Sequence, residues 1–201
     1  MIVNFGRTVK SKYASIILKI TTLGYAIPGA VIAITLLLLF IKIDNRFVGI
    51  YRLFNSNAPT LLLTSSLAML ITAYTIRFMT IAYNNIESSY LKIGDTYSEA
   101  SYTLGLSKLK TLWKVEIPMI KPGLISAVVI VLIDIIKELP LTLILRPTNY
   151  DTIATKVYTY ANDEMIQEAS APALILIVLG SVLIYSIPHQ KRGVKNASRS
   201  K

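Results

Sequence analysis

Charged residues are missing from three long stretches of the chain. Leu23 to Ile41, Leu53 to Ile76 and Ala169 to Gln190 contain none. A fourth stretch, Pro122 to Leu145, is equally apolar apart from Asp134, Lys137 and Glu138. A helix of about 20 such residues crosses a hydrocarbon layer, and in lipid a helix satisfies its own backbone groups. The pattern therefore predicts an all-α fold, a polytopic membrane helical bundle with spans near 23–43, 58–80, 122–145 and 169–188. Arg7, Lys10, Lys12 and Lys19 precede the first run as they would in a signal peptide. Its apolar stretch exceeds the roughly 15 residues of such a leader, and no small-residue cleavage site follows, so a retained span is expected. Pro28-Gly29 within it predicts a kink.

The spacing of the basic residues orients the spans. Arg77, Lys92, Lys108, Lys110, Lys114 and Lys121 fall between the second and third runs, and Lys191, Arg192, Lys195, Arg199 and Lys201 follow the fourth. With the four N-terminal cations these lie on one side. Only Lys42, Arg46, Arg52, Arg146 and Lys156 lie on the other. The positive-inside rule then places both termini and the 84–121 loop in the cytoplasm. Orientation accounts for the net charge of +10, so no nucleic-acid partner is called for. The opposite loop, from Arg146 to Glu168, carries Asp151, Asp163, Glu164 and Glu168. Its Tyr150, Tyr158 and Tyr160 suit the headgroup layer or a protein contact.

Composition removes several chemistries. The apolar share of 53% excludes a disordered chain. Without cysteine there are no disulfides, thiolate metal sites or cysteine nucleophiles, and the single histidine, His189, excludes a two-histidine zinc site. His189 reads as an interfacial residue beside Pro188 and Lys191, and the tail after Pro188 as short, basic and frayed. No Gly-x-x-x-x-Gly-Lys-Ser/Thr loop occurs, so the chain carries no ATP site of that type. We expect no catalytic residue, no cofactor and no metal.

The 84–121 segment is too long for a turn and too patterned for a linker. Asp95 or Thr96 is placed to cap a short helix, with Thr96-x-x-Glu99 as a capping box. Gly105 falls where a left-handed C-terminal cap belongs. Ser107 then caps a second helix through Leu109, Leu112, Trp113 and Glu116, and Pro118 stops it. Pro122 opens the third span. Each residue taken alone has a purely local reading: Glu99 closes the box, Gly105 caps, Pro118 terminates. Trp113 reads as an anchor against the membrane surface or helix ends.

Glu99-Ala100-Ser101, Gly105, Val115 and Ile117-Pro118 together resemble the EAA loop of permease subunits in binding-protein-dependent ABC importers. Ser101 stands where Ala is common. Tyr25-Ala26-Ile27-Pro28-Gly29 and Lys137-Glu138-Leu139-Pro140 through Pro147 resemble segments of ferric-iron permeases most closely. Permeases for thiamine, sulfate, phosphonate or polyamines share the loop. The resemblance implies a bacterial inner-membrane protein whose first loop helix docks on a cytoplasmic ATPase subunit. Glu99 would meet a basic group there, Ala100 and Ser101 would permit close approach, and Leu104, Leu106 and Leu109 would anchor. It also implies a second permease subunit or half and a periplasmic or extracellular substrate-binding protein. Relatives usually have about six spans per unit, so an N-terminally incomplete or split permease is expected. A non-transporting membrane scaffold remains the alternative from another class.

Asp134, Lys137 and Glu138 form the other constellation. Asp134 can meet Lys137 three residues on, on one helix face. Either the group is a polar patch on the translocation path or it is an ion pair that locks packing. An intramembrane hydrolase would want a histidine or second carboxylate from another predicted span, and none is present.

Overall fold

A computed structural model describes residues 23–54 and 60–187. The four N-terminal cations, His189 and the tail lie outside the described residues. Helix α1 covers Gly29–Phe54 and α2 Leu67–Ile93. A hairpin comes next, made of α3 (Thr96–Thr103), α4 (Lys108–Thr111) and a π turn (Leu112–Glu116). Then come α5 (Ile117–Ile136), α6 (Pro140–Leu145), α7 (Ile153–Asn162) and α8 (Ile166–Tyr185). All regular structure among the described residues is helical.

Several boundaries differ from those the hydrophobic pattern predicts, each for a local reason. Pro28 opens α1 and does not kink it. Its carbonyl accepts from the amides of Val31 (3.0 Å) and Ile32 (3.3 Å), and a proline costs little where no amide is needed. The helix then runs through Lys42, Arg46 and Arg52, residues expected in an outer loop. Asp44 makes this possible. It is fully buried, and its carboxylate accepts from Leu63 N (3.0 Å), Thr64 N (2.8 Å) and Thr64 Oγ1 (2.7 Å). Those bonds fix the 61–66 turn, so α2 starts only at Leu67. Ser66 caps it by accepting from Ala68 N at 3.2 Å.

Pro118 does not stop the second loop helix. Helical structure is continuous from Lys108 to Ile136, 29 residues. Pro118 offers no amide to the carbonyl four residues back, and the π turn just before it changes the hydrogen-bonding register there. Pro122 likewise lies inside α5 and does not open it. The chain breaks instead at Lys137–Leu139, ahead of Pro140, which has no amide to offer the carbonyl of Ile136 four residues back.

Helix α2 is the spine of the fold. Its first half packs on α1 and α6 through Ile32, Ala33, Leu36, Met69, Leu70, Ala73, Leu141 and Leu145. Tyr74 Oη and Thr142 Oγ1 lie 2.5 Å apart across this layer. Its second half packs on α5, where Tyr83, Tyr90 and Ile120 form a separate cluster. There Gly123 sits so close to α2 that a Cβ would lie 1.8 Å from Ser89 Oγ. Helix α8 leans on α7 and α5 and leaves Leu174, Ile175, Ile177, Val178, Val182 and Ile184 exposed. Lys108–Ile136 and Ile166–Tyr185 are the described helices long and apolar enough to cross a bilayer. In α1 the hydrophobic run passes into Lys42, Asp44 and Arg46, and in α2 it is diluted by hydroxyls and Arg77.

Candidate functional site

The first candidate is the hairpin between α2 and α5. Helix α3 begins at Thr96, with Asp95 in the N-cap position. Asp95 already has helical dihedrals (φ −95°, ψ −13°), so no side-chain bond caps the helix there and the expected Thr96–Glu99 box does not form. A capping box forms in α7 instead, where Thr152 Oγ1 accepts from Thr155 N and Thr155 Oγ1 from Thr152 N. The other end of α3 is as expected. Gly105 takes φ +80°, its amide bonds Tyr102 O at 2.9 Å, and Leu106 N bonds Ser101 O at 3.1 Å. These two bonds make a Schellman cap. Nothing lies within 4 Å of a Cβ built on Gly105, so the backbone angle, not crowding, calls for glycine.

The hairpin has a polar inner face and an apolar outer one. Ser101 is buried, donates to Ser98 O at 2.7 Å, and lies 2.8 Å from the buried Thr111 Oγ1. A serine in the motif's third position is thus matched by a hydroxyl on the facing helix. Ser98 Oγ donates to Glu116 Oε1 at 2.9 Å, and Tyr90 Oη donates to Glu116 Oε2 at 3.3 Å. The outer face carries Glu99 and Ala100, both exposed, with Leu104 at 82% exposure, Leu109 at 67% and Trp113 at 66%. Leu106 is half-buried, and Pro118 is exposed at the start of α5.

The second candidate joins the fourth apolar run to the first two. Asp134 and Lys137 form the expected ion pair at 2.6 Å, with Lys137 largely exposed. Glu138 turns away from them. It is 8% exposed, pairs with Arg77 Nε at 3.2 Å, and accepts from Leu141 N at 3.3 Å to hold the start of α6. The charge pattern counts Arg77 among the cytoplasmic cations. It lies instead within α2, 17% exposed, donating from Nη1 to Ile27 O at 3.2 Å and lying over the Tyr25 and Phe78 rings. A methyl group on Gly29 would lie 2.8 Å from Arg77 Nη1 and 3.0 Å from Glu138 Oε1. Tyr25–Gly29 and the segment from Lys137 therefore converge on one arginine. Sequence reasoning misses Arg77 because a cation ending an uncharged run looks like a boundary. It misses Asp44 for the same reason.

A long-helix bundle with a helical hairpin between two of its longest helices is an all-α membrane bundle of the permease type. The chain belongs to the family described as "Binding-protein-dependent transport system inner membrane component", whose model matches residues 2–195. It is similar to the "Fe(3+)-transport system permease protein FbpB 2" of Haemophilus influenzae, 23% identical over 167 residues, which are 83% of this chain and 30% of that protein. It is similar to the "Probable transport system permease protein NifC" of Clostridium pasteurianum, 31% identical over 189 residues, 90% of this chain and 62% of that one. It also resembles the "Putative 2-aminoethylphosphonate transport system permease protein PhnV" of Salmonella typhimurium, 20% identical over 145 residues, 72% of this chain and 55% of that one. The chain therefore spans less than two thirds of the length of these relatives. No solved structure matches it.

Proposed function

We propose that this chain is a transmembrane permease subunit of an ABC importer, forming part of the substrate path and coupling it to a separate cytoplasmic ATPase subunit. The observation that carries this reading is the hairpin. It lies between α2 and α5, its inner face is tied by hydroxyls, and its outer face presents Glu99, Leu104 and Leu109 to a partner. Glu99, Ala100, Ser101, Leu104, Gly105, Leu106 and Pro118 are the coupling residues on this reading. A rigid two-helix element is suited to pass the ATPase's motion to the long helices as a body. The subunit performs no chemistry itself. It sits in the bacterial inner membrane as a multi-pass protein with both termini and the hairpin in the cytoplasm. A second permease subunit or half completes the path, a periplasmic or extracellular binding protein delivers the substrate, and lipid covers α8's outer face.

Ferric iron is the proposed substrate, supported by the relative that carries iron in its name. A phosphonate substrate is the second reading, favoured by the 2-aminoethylphosphonate relative. Asp134 and Lys137 flank the path at the α5–α6 break, while Glu138, buried against Arg77, locks the packing there. Replacing Glu99 with Lys should lower capture of the ATPase at least tenfold while membrane insertion stays normal. Equal capture by the variant removes the coupling assignment. Deleting the chain should slow growth on limiting iron; unchanged growth removes iron and leaves the permease reading standing.

A further inference from the structure

We propose that Glu116 is the positioning residue that locks the hairpin to both long helices, so that α3, α2 and α5 move together. The proposal rests on the coupling reading above and names a part of the device that the loop motif does not assign. Glu116 ends the π turn and directly precedes α5. Its two carboxylate oxygens are divided between two other elements. Oε1 takes the Ser98 hydroxyl of α3, and Oε2 takes the Tyr90 hydroxyl near the end of α2. Hydrogen bonds to an ionised acceptor are about twice as strong as neutral ones. One side chain thus joins the helix that meets the ATPase to the two helices that leave the hairpin.

The π turn explains why the carboxylate reaches both. A π turn adds one residue to the helical repeat and rotates the residues after it, and such turns recur at working sites. Without it, Glu116, five residues after Thr111, would sit about 100° further round the helix than an i,i+4 neighbour of Thr111 does. Thr111, on the unperturbed turn before, makes the second tie to α3 through Ser101. That pair is neutral and reaches α3 alone. Glu116 engages α2 as well as α3. Displacing α3 without α5 would leave a half-buried carboxylate short of a donor, which is costly in a low-dielectric setting.

The test uses spin labels at Thr103→Cys on α3 and Ile125→Cys on α5, in the chain assembled with its ATPase in lipid nanodiscs. With Glu116 intact, the label–label distance should stay the same in nucleotide-free and nucleotide-trapped states. Glu116→Ala should hold it only without nucleotide; trapping should at least double the width of the distribution. Glu116→Gln, which keeps one acceptor oxygen, should fall between. If Glu116→Ala does not assemble, Ser98→Ala with Tyr90→Phe removes the same two bonds and is read the same way. A width that grows equally with and without nucleotide marks a static packing contact and overturns the proposal, as does no change at all. An ATPase that fails to bind even the unaltered chain instead sinks the coupling reading on which the proposal stands.

Discussion

At the residue scale, the molecule depends on small groups placed against charged ones. Gly29 leaves the space in which Arg77 meets Glu138. Removing one member of a buried ion pair leaves an uncompensated charge and costs about 3–5 kcal/mol, whereas replacing both with apolar groups of similar volume is close to neutral. Glu138→Ala should therefore destabilise the chain strongly, and Arg77→Met combined with Glu138→Leu should recover most of the loss. Thermal unfolding in detergent, followed by the single tryptophan, Trp113, measures both. The Asp134–Lys137 pair is less buried, with Lys137 67% and Asp134 12% exposed, so Lys137→Ala should lower the midpoint less than Glu138→Ala does. At Gly105 there is room for a methyl but a φ of +80°, so Gly105→Ala strains the backbone by about 1–2 kcal/mol. Hydrogen exchange should then show the Leu106 amide, which closes the cap on Ser101 O, losing protection roughly five- to thirtyfold while α5 stays protected.

At the element scale, α2 decides where everything else sits. Ser89 and Gly123 bring α2 and α5 so close that any side chain on Gly123 must displace α2's own Ser89. Gly123→Ala should destabilise by about 1–3 kcal/mol through overpacking. Adding Ser89→Gly should recover part of that, less about 1 kcal/mol for glycine inside a helix. Stability of the two variants and the double mutant, compared as a cycle, checks the contact. If Ser89→Gly gives no recovery, the two helices do not meet there. The π turn belongs to this scale as well. It lets one helix carry Pro118 without breaking, and so makes the hairpin's second arm continuous with α5.

At the scale of the whole molecule, the hairpin and the α6–α7 connection lie at opposite ends of α5. The proposed topology puts a membrane between them. The chain has no cysteine, so single introduced cysteines report without background. Thr103→Cys should react with an impermeant maleimide only from the cytoplasmic face, and Thr148→Cys only from the opposite face. Labelling of both from one face excludes α5 as a span. The exposed apolar side chains of α8 suit lipid or a second subunit, either of which removes them from water.

The sequence by itself determined the helical class, the hairpin between two long apolar helices, the glycine that reverses it, and the Asp134–Lys137 pair. These are local properties, set by residue spacing within a few turns, by φ at one position and by the exclusion of charge from long runs. Tertiary structure decided the rest. Where α2 begins depends on Asp44 reaching a turn nineteen and twenty residues along the chain. Which partner Glu138 takes depends on Arg77 across the packed helices, not on its neighbours Asp134 and Lys137. An aspartate or arginine interrupting an apolar run reads as the edge of a helix, because its charge belongs in water. Only the packed fold supplies the opposite charge or the ring of amides that lets it stay inside.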